Sequence, residues 1–167
     1  IQLKYDFSDE FENFWSEIKN KNNNFLMSKS NNWLNWHIKF LKKPWIVYIK
    51  DNYKILGFAL CCESNNNELN LKRISIIDIV SKNGNSEIYL SLLQGTIKKS
   101  FDLGYEIIEM TGTSYEKKLF FSKFKTFKRK VSNYLFYYYS RDLKLVEDLK
   151  NENLWDISLL DGDSFLV

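Results

Sequence analysis

The sequence predicts an α/β domain whose sheet is mixed: mostly an antiparallel meander, closed by one parallel crossover and flanked by helices. Two observations carry this. First, an apolar strand over residues 71–80 runs into the polar loop 81–85, then a helix-periodic stretch over 86–103 and a second strand over 105–110. A helix between two strands is a crossover, so those strands are expected to be parallel neighbours. Second, three strand-like runs precede that helix with only short polar turns between them. Residues 45–50 and 53–62 flank Asp51-Asn52, a tight-turn pair, and residues 64–67 separate the second run from the third, 68–80.

The helices have start and stop signals. Ser8 caps a first helix with Asp9, Glu10 and Glu12 in its opening turn, where the helix dipole favours anions. Phe11, Phe14, Trp15 and Ile18 form its apolar stripe, and the Asn-rich run 20–24 ends it. Ser30, Asn31 or Asn32 caps a second helix bearing Trp33, Trp36, His37, Phe40 and Leu41, stopped by Pro44. The helix over 86–103 is expected to turn Tyr89, Leu92, Leu93, Thr96, Ile97 and Phe101 to the sheet, with Gly104 as its left-handed end. A further helix ends near Thr126-Phe127, a last strand covers 130–140, and a short helix covers 141–149.

Composition bounds the rest. At 167 residues, 44% hydrophobic and 17% aromatic, with one Pro and six Gly, the chain reads as a single domain over 1–167 with a sizeable core and no long linker. A net charge of +3 demands neither a nucleic-acid nor a membrane partner, and no apolar run approaches the ~20 residues of a membrane span. Adjacent Cys61-Cys62 would point to opposite faces of a strand, so mutual pairing is not expected. Two small core residues in a reducing, cytoplasmic compartment are the reading that follows. The chain opens on Ile1 rather than Met, which fits a fragment whose N-terminal partner domain is missing.

The order of elements resembles the GNAT fold of the acyl-CoA N-acyltransferase superfamily. Gly57-Phe58 resembles its hairpin strand, residues 74–80 its donor-binding strand, and 119–129 the close of the helix after the parallel pair, with Thr126 where Gly is usual. The motif Trp33-Leu-Asn-Trp36 and the ending Trp155–Asp163 resemble the C-terminal domains of bacterial two-domain members associated with surface-polysaccharide or lipid biosynthesis. The resemblance implies a donor such as acetyl-CoA or another acyl-CoA, no metal, and a small-molecule amine as acceptor. It places the donor's pantetheine arm and pyrophosphate along Ile79, Val80, Ser81, Lys82, Asn83, Gly84, Asn85 and Ser86. Of the family's phosphate loop only Gly84 is a glycine, and Glu87 falls where a small residue lets phosphate approach.

Several residues have both a chemical and a structural reading. Asp78, late in an apolar strand, is expected to have a raised pKa and to act as general base; as a structural acid it would pair with Arg73 or Lys82. Tyr115 resembles the tyrosine that some members use as general acid to the leaving thiolate, and is otherwise an interfacial core residue. His37 is the only histidine and reads as a core residue. The lysines at 117, 118, 123, 125, 128 and 130, with Arg129, interleave with Phe120, Phe121, Phe124 and Phe127. They read as a solvated face able to attract an anionic substrate, with nucleic-acid binding as the alternative, in an aminoacyl-tRNA-dependent transferase. Asp156, Asp161 and Asp163 have only a superficial likeness to a metal loop. A catalytically silent binding domain is the rival to the enzyme.

Overall fold

The computed structural model describes residues 2–21, 29–110, 114–128 and 139–161. Five strands form one sheet in the order β1-β2-β3-β4-β5. They are β1 Gln2–Lys4, β2 Trp45–Asp51, β3 Lys54–Glu63, β4 Arg73–Ser81 and β5 Ile107–Met110. The first three neighbour pairs are antiparallel and β4 with β5 is parallel, as the crossover requires. Strand β1 has no periodic signal in three residues and escaped the sequence reading. The third and fourth predicted strands begin later than expected. Residues 66–71 fold into a tight loop with Asn70 in the left-handed region, and Glu106 and Ile107 donate to the Lys72 carbonyl. The β2–β3 turn sits one residue on from the expected pair, with Asn52 at a φ of 53° and Asp51 paired to Lys54.

Helices α1 Glu10–Lys21 and α2 Asn31–Ile38 cover one face of the sheet, and α3 Ser86–Asp102 with α4 Tyr115–Ser122 cover the other. Ser30 caps α2 through its hydroxyl, and α5 Leu143–Leu149 is capped by Asp142. The last predicted strand falls almost wholly on residues outside those described; Tyr139 and Ser140 are not in a strand.

The first face packs Phe7, Phe11, Phe14, Trp15 and Ile18 onto Tyr48, Phe58 and Leu60. The second packs Tyr89, Leu92 and Phe120 onto Val47, Ala59, Ile76 and Ile79. Cys62 joins the first cluster and Cys61 the second, both as free thiols, so the cysteines do point apart. Burial pushes the Cys62 thiol up to about 11, which leaves it unreactive.

Two helix faces are rotated from expectation. On α3 the buried row is Tyr89, Leu92, Thr96 and Ser100, while Ile97 is 49% and Phe101 81% exposed. The row 93, 97, 101 lies about 100° further round the helix, and the small Thr96 and Ser100 let the helix sit closer to the sheet. On α2 the inward row is Leu34, His37, Ile38 and Leu41, leaving Trp36 and Phe40 half exposed. His37 is buried, with Nδ1 2.8 Å from the Trp33 carbonyl oxygen and its ring against the Trp33 ring, in keeping with a core role.

Gly57 fixes how closely α3 approaches. A Cβ there would lie 2.7 Å from Ile88 Cγ2 and 2.8 Å from the Val80 carbonyl oxygen. The carbonyl belongs to β4 and has no freedom to yield. Gly57→Ala is expected to destabilise the domain by roughly 1–3 kcal/mol through overpacking, read from the urea midpoint.

Glu63, at the end of β3, ties three elements together. It accepts from Lys43 at 2.8 Å and from the Tyr105 hydroxyl at 2.9 Å, and pairs with Lys42 at 2.6 Å. Hydrogen bonds from Lys42, then Lys43, hold its carboxyl down to about 2, from 4.5. A depressed folded pKa gives stability that is present above the unfolded value and is lost as pH falls through the folded one. Glu63→Gln is therefore expected to flatten the decline in thermal stability between pH 4.5 and about 2, measured by calorimetry against the parent.

Candidate functional site

Among the described residues β4 pairs with β5 from Arg73 opposite Ile107 to Ile76 opposite Met110, and β4 continues to Ser81. Within β4 a bulge lies at residue 77: Cys61 pairs with Ile76 and Leu60 with Asp78, leaving Ile77 as the extra residue. Extra residues of this kind re-aim side chains. Asp78 sits on the face of Leu60, toward α1, and is fully buried.

Two lysines neutralise it. Lys29, just before α2, donates to Asp78 at 2.8 Å and to Ser158 Oγ at 3.1 Å. Lys117, from the first turn of α4, lies 3.5 Å from Asp78 and donates to Asp156 at 2.8 Å. Asp161 is 3.6 Å from Lys29 and accepts from the Ser158 amide. Asp78 is thus the hub of a buried network of two ammoniums and three carboxyls that also holds residues 156–161 against the sheet.

Burial alone would raise the Asp78 pKa, but Lys29 and then Lys117 outweigh it and the carboxyl is held below its ordinary value. The expected upward shift is corrected here: sequence could not show that two ammoniums are buried with the acid. For Lys117, burial opposes the charge, yet Asp78 and Asp156 raise its pKa, so it stays an ammonium. Burial raises the Asp161 carboxyl despite Lys29.

A cavity of about 10 Å³, the size of one water molecule, lies above this network. Its walls are Asp78, Val80 and Ser81 of β4, Gly84, Tyr89 of α3, Glu116 and Lys117 of α4, Trp15 and Ile18 of α1, Lys29 and Asp156. Among the described residues the buried Trp15 Nε1 has no hydrogen-bond partner, and the buried Ser81 hydroxyl meets Tyr89. The cavity therefore has polar walls beside the end of β4.

The loop beyond it has a turn at Lys82–Gly84, with Asn83 and Gly84 in the left-handed region at φ 59° and 63°. Asn85 is the α3 cap, its side chain accepting from the Glu87 and Ile88 amides at 2.8 and 3.3 Å. Lys82 pairs with Glu17 of α1, and Glu116 Oε2 would be 3.0 Å from a Cβ at Gly84. Ser86 and Glu87 are exposed at the start of α3, and Ile79 is buried against α3.

The structure thus brings Asp78, Val80, Ser81 and Gly84 together around one cavity. Tyr115 is not among its walls; it is the first residue of α4 and 52% exposed. The partners expected for Asp78 are engaged elsewhere, Arg73 with Glu109 and Lys82 with Glu17. Lys117 is 3% exposed and so is no part of a solvated face. Its spacing from Phe120 and Phe124, i, i+3 and i+7, already put it on the inward side of the helix. Lys29 had no such signal. Asp156 and Asp161 each lie against a lysine, and Asp163 lies outside the described residues.

Removing the hub is expected to be costly. Asp78→Asn leaves two buried ammoniums short of a counter-charge and should destabilise the fold by about 3–5 kcal/mol. Asp156→Asn, at the solvent side of the network, should cost less than half of that. Urea unfolding of both variants checks the order.

No family model and no curated protein matches the sequence. Solved structures do match the fold. Ribosomal-protein-alanine N-acetyltransferase from Brucella melitensis biovar Abortus 2308 is 11% identical, with 82% of this chain and 97% of that one covered and a TM-score of 0.56. Glucosamine-6-phosphate N-acetyltransferase from Arabidopsis thaliana is 13% identical, with 80% and 97% covered and a TM-score of 0.57. A transcriptional regulator from Bacillus halodurans C-125 is 12% identical, with 82% and 99% covered and a TM-score of 0.58. The domain has the GNAT-like fold that its element order resembles. At these identities the likeness speaks for architecture, and the regulator among the neighbours shows that the architecture is not tied to one function.

Proposed function

We propose that the domain is a GNAT-like N-acyltransferase, moving an acyl group from a thioester donor, on CoA or a carrier protein, to an amine on a small molecule such as a sugar or cell-envelope precursor. The observation that carries this is the polar-walled cavity beside the end of β4, on a strand that pairs in parallel with β5 and runs into the loop before α3. Backbone groups near the end of β4 would bind an extended pantetheine arm. Acetyltransferases among the structural neighbours support the same reading.

Catalysis would rest mainly on positioning. The amine nitrogen attacks the thioester carbonyl carbon; a C–N bond forms, the C–S bond breaks, the nitrogen loses a proton and the thiolate gains one. The lowered pKa makes Asp78 a weak base, so its role is to fix Lys117 beside the cavity. The Lys117 ammonium then supplies positive charge to the developing oxyanion or thiolate. Water carries the proton from amine to thiolate.

A second reading is favoured by one set of contacts. Glu116 stands against Gly84, Lys82 is taken by Glu17, and Asn85 occupies two amides of α3, so the loop is poorly disposed to a pyrophosphate. In that reading the domain is a silent partner that stabilises another domain.

Titration with acetyl-CoA and Glu87→Gly separates the two. For a working donor site the substitution is expected to tighten binding a few-fold by removing an exposed like charge. It should also lower stability by roughly 0.5–1 kcal/mol, because a carboxylate at the positive helix end is lost. Lower stability with no heat from acetyl-CoA in either form would remove free CoA as the donor, and no heat from S-acetyl-pantetheine or an acetylated carrier as well would leave the silent-partner reading.

A further inference from the structure

Resting on the acyltransferase reading, we infer that the donor is an acyl-pantetheine arm carried on an acidic carrier protein rather than free acyl-CoA. The inference starts from charge at two places, the cavity beside the end of β4 and the loop that follows it. At the inner end the cavity is polar and can face a thioester: Trp15 Nε1 is buried and unpartnered among the described residues, Ser81 Oγ is buried beside Tyr89, and Lys117 lines the same cavity. At the outer end, where free CoA would bring a diphosphate and a further phosphate on its ribose, the structure presents carboxylates. Glu116 Oε2 lies against Gly84, in the space that a phosphate would need beside the left-handed turn. Glu87 adds a second exposed carboxylate on the first turn of α3. The cation nearest the loop, Lys82, is bound to Glu17. Asp78 and Asp156 are neutralised by lysines, whereas no ion pair of Glu116 occurs among the described residues.

Such a site repels a nucleoside diphosphate and tolerates a neutral pantetheine chain. A carrier-bound arm has one phosphodiester at its root, which is held by the carrier, outside the loop. The carrier itself needs a basic surface to dock on. The exposed lysines 118, 123, 125 and 128 provide one, on α4 and the segment that leaves it, and Glu116 is the only acid from 115 to 128. Charge of opposite sign on a carrier would steer it so that its arm enters beside α4. The chemistry is unchanged: the amine takes the acyl group and the carrier leaves with a free thiol.

The test is a donor series bound to the whole chain: S-acetyl-pantetheine, acetyl-CoA, and an acetylated holo acyl carrier protein, with the apo carrier and RNA as controls. S-Acetyl-pantetheine is expected to bind at least as tightly as acetyl-CoA, and the acetylated carrier tighter than either, with affinity falling as salt rises. The exposed triple change Lys118→Glu, Lys123→Glu, Lys125→Glu should weaken the carrier by about tenfold while leaving S-acetyl-pantetheine unchanged. Glu116→Gln should tighten acetyl-CoA a few-fold and leave S-acetyl-pantetheine alone. Tighter binding of acetyl-CoA than of S-acetyl-pantetheine overturns the inference and leaves the acyltransferase reading standing. A carrier that binds no better than its arm, or RNA that displaces it at equal concentration, overturns the inference as well. Failure of every thioester to bind overturns both.

Discussion

The buried Asp78 carboxylate, held between two ammoniums, is the interaction on which the arrangement of this domain turns. It joins parts of the chain that share no sheet hydrogen bonds: Lys29 before α2, Lys117 in α4, and, through those lysines, Asp156, Ser158 and Asp161 near the end. A buried pair of this kind has modest net worth, because the cost of taking the charges out of water offsets much of their attraction. Its effect is on uniqueness. With the hub in place residues 156, 158 and 161 are tied to the two lysines, and the cavity beside them keeps its polar walls.

The sheet explains why the hub can exist at all. A regular strand would send residues 77 and 79 to one face and Asp78 to the other, with Ile76. The bulge removes that alternation, so Ile77 and Asp78 share the α1 face while Ile76 and Ile79 face α3. A carboxylate thereby enters the larger aromatic core at the one place where two lysines reach it. The close packing of α3 on Gly57 holds the same stretch from the other side, through the Val80 carbonyl.

Much of this fold was legible because it is written in local signals. The crossover helix, its cap, the hairpin and the parallel pair follow from periodicity and turn residues, and each was placed within a few residues. The parts that escaped depend on distance in the chain. Strand β1 is three residues with no pattern of its own, held by pairing to β2. The faces of α2 and α3 shifted because neighbouring rows on a helix are both apolar here, and only packing selects between them. The site was half legible: a lone acid in an apolar strand marks a position, but its pKa direction depends on Lys29, forty-nine residues away along the chain. Lys117 was readable from its spacing with Phe120 and Phe124, and was obscured by the run of lysines around it.

The same fold holds acetyltransferases and a regulator among its structural neighbours, and this chain places charges of its own around the loop after β4. A polar-walled cavity lies beside the end of β4, and the surrounding loop and helix starts carry Glu116 and Glu87, with Lys82 paired to Glu17. If backbone shape governed recognition, these side chains would be incidental. In the few ångströms around a helix start, however, a carboxylate and a phosphate compete for the same amides and the same dipole. Here the protein's own groups have taken that place, with Asn85 on the amides and Glu116 against Gly84. The loop after β4 thus presents its own side chains where a helix start could otherwise hold an anion, a feature that architecture alone does not reveal.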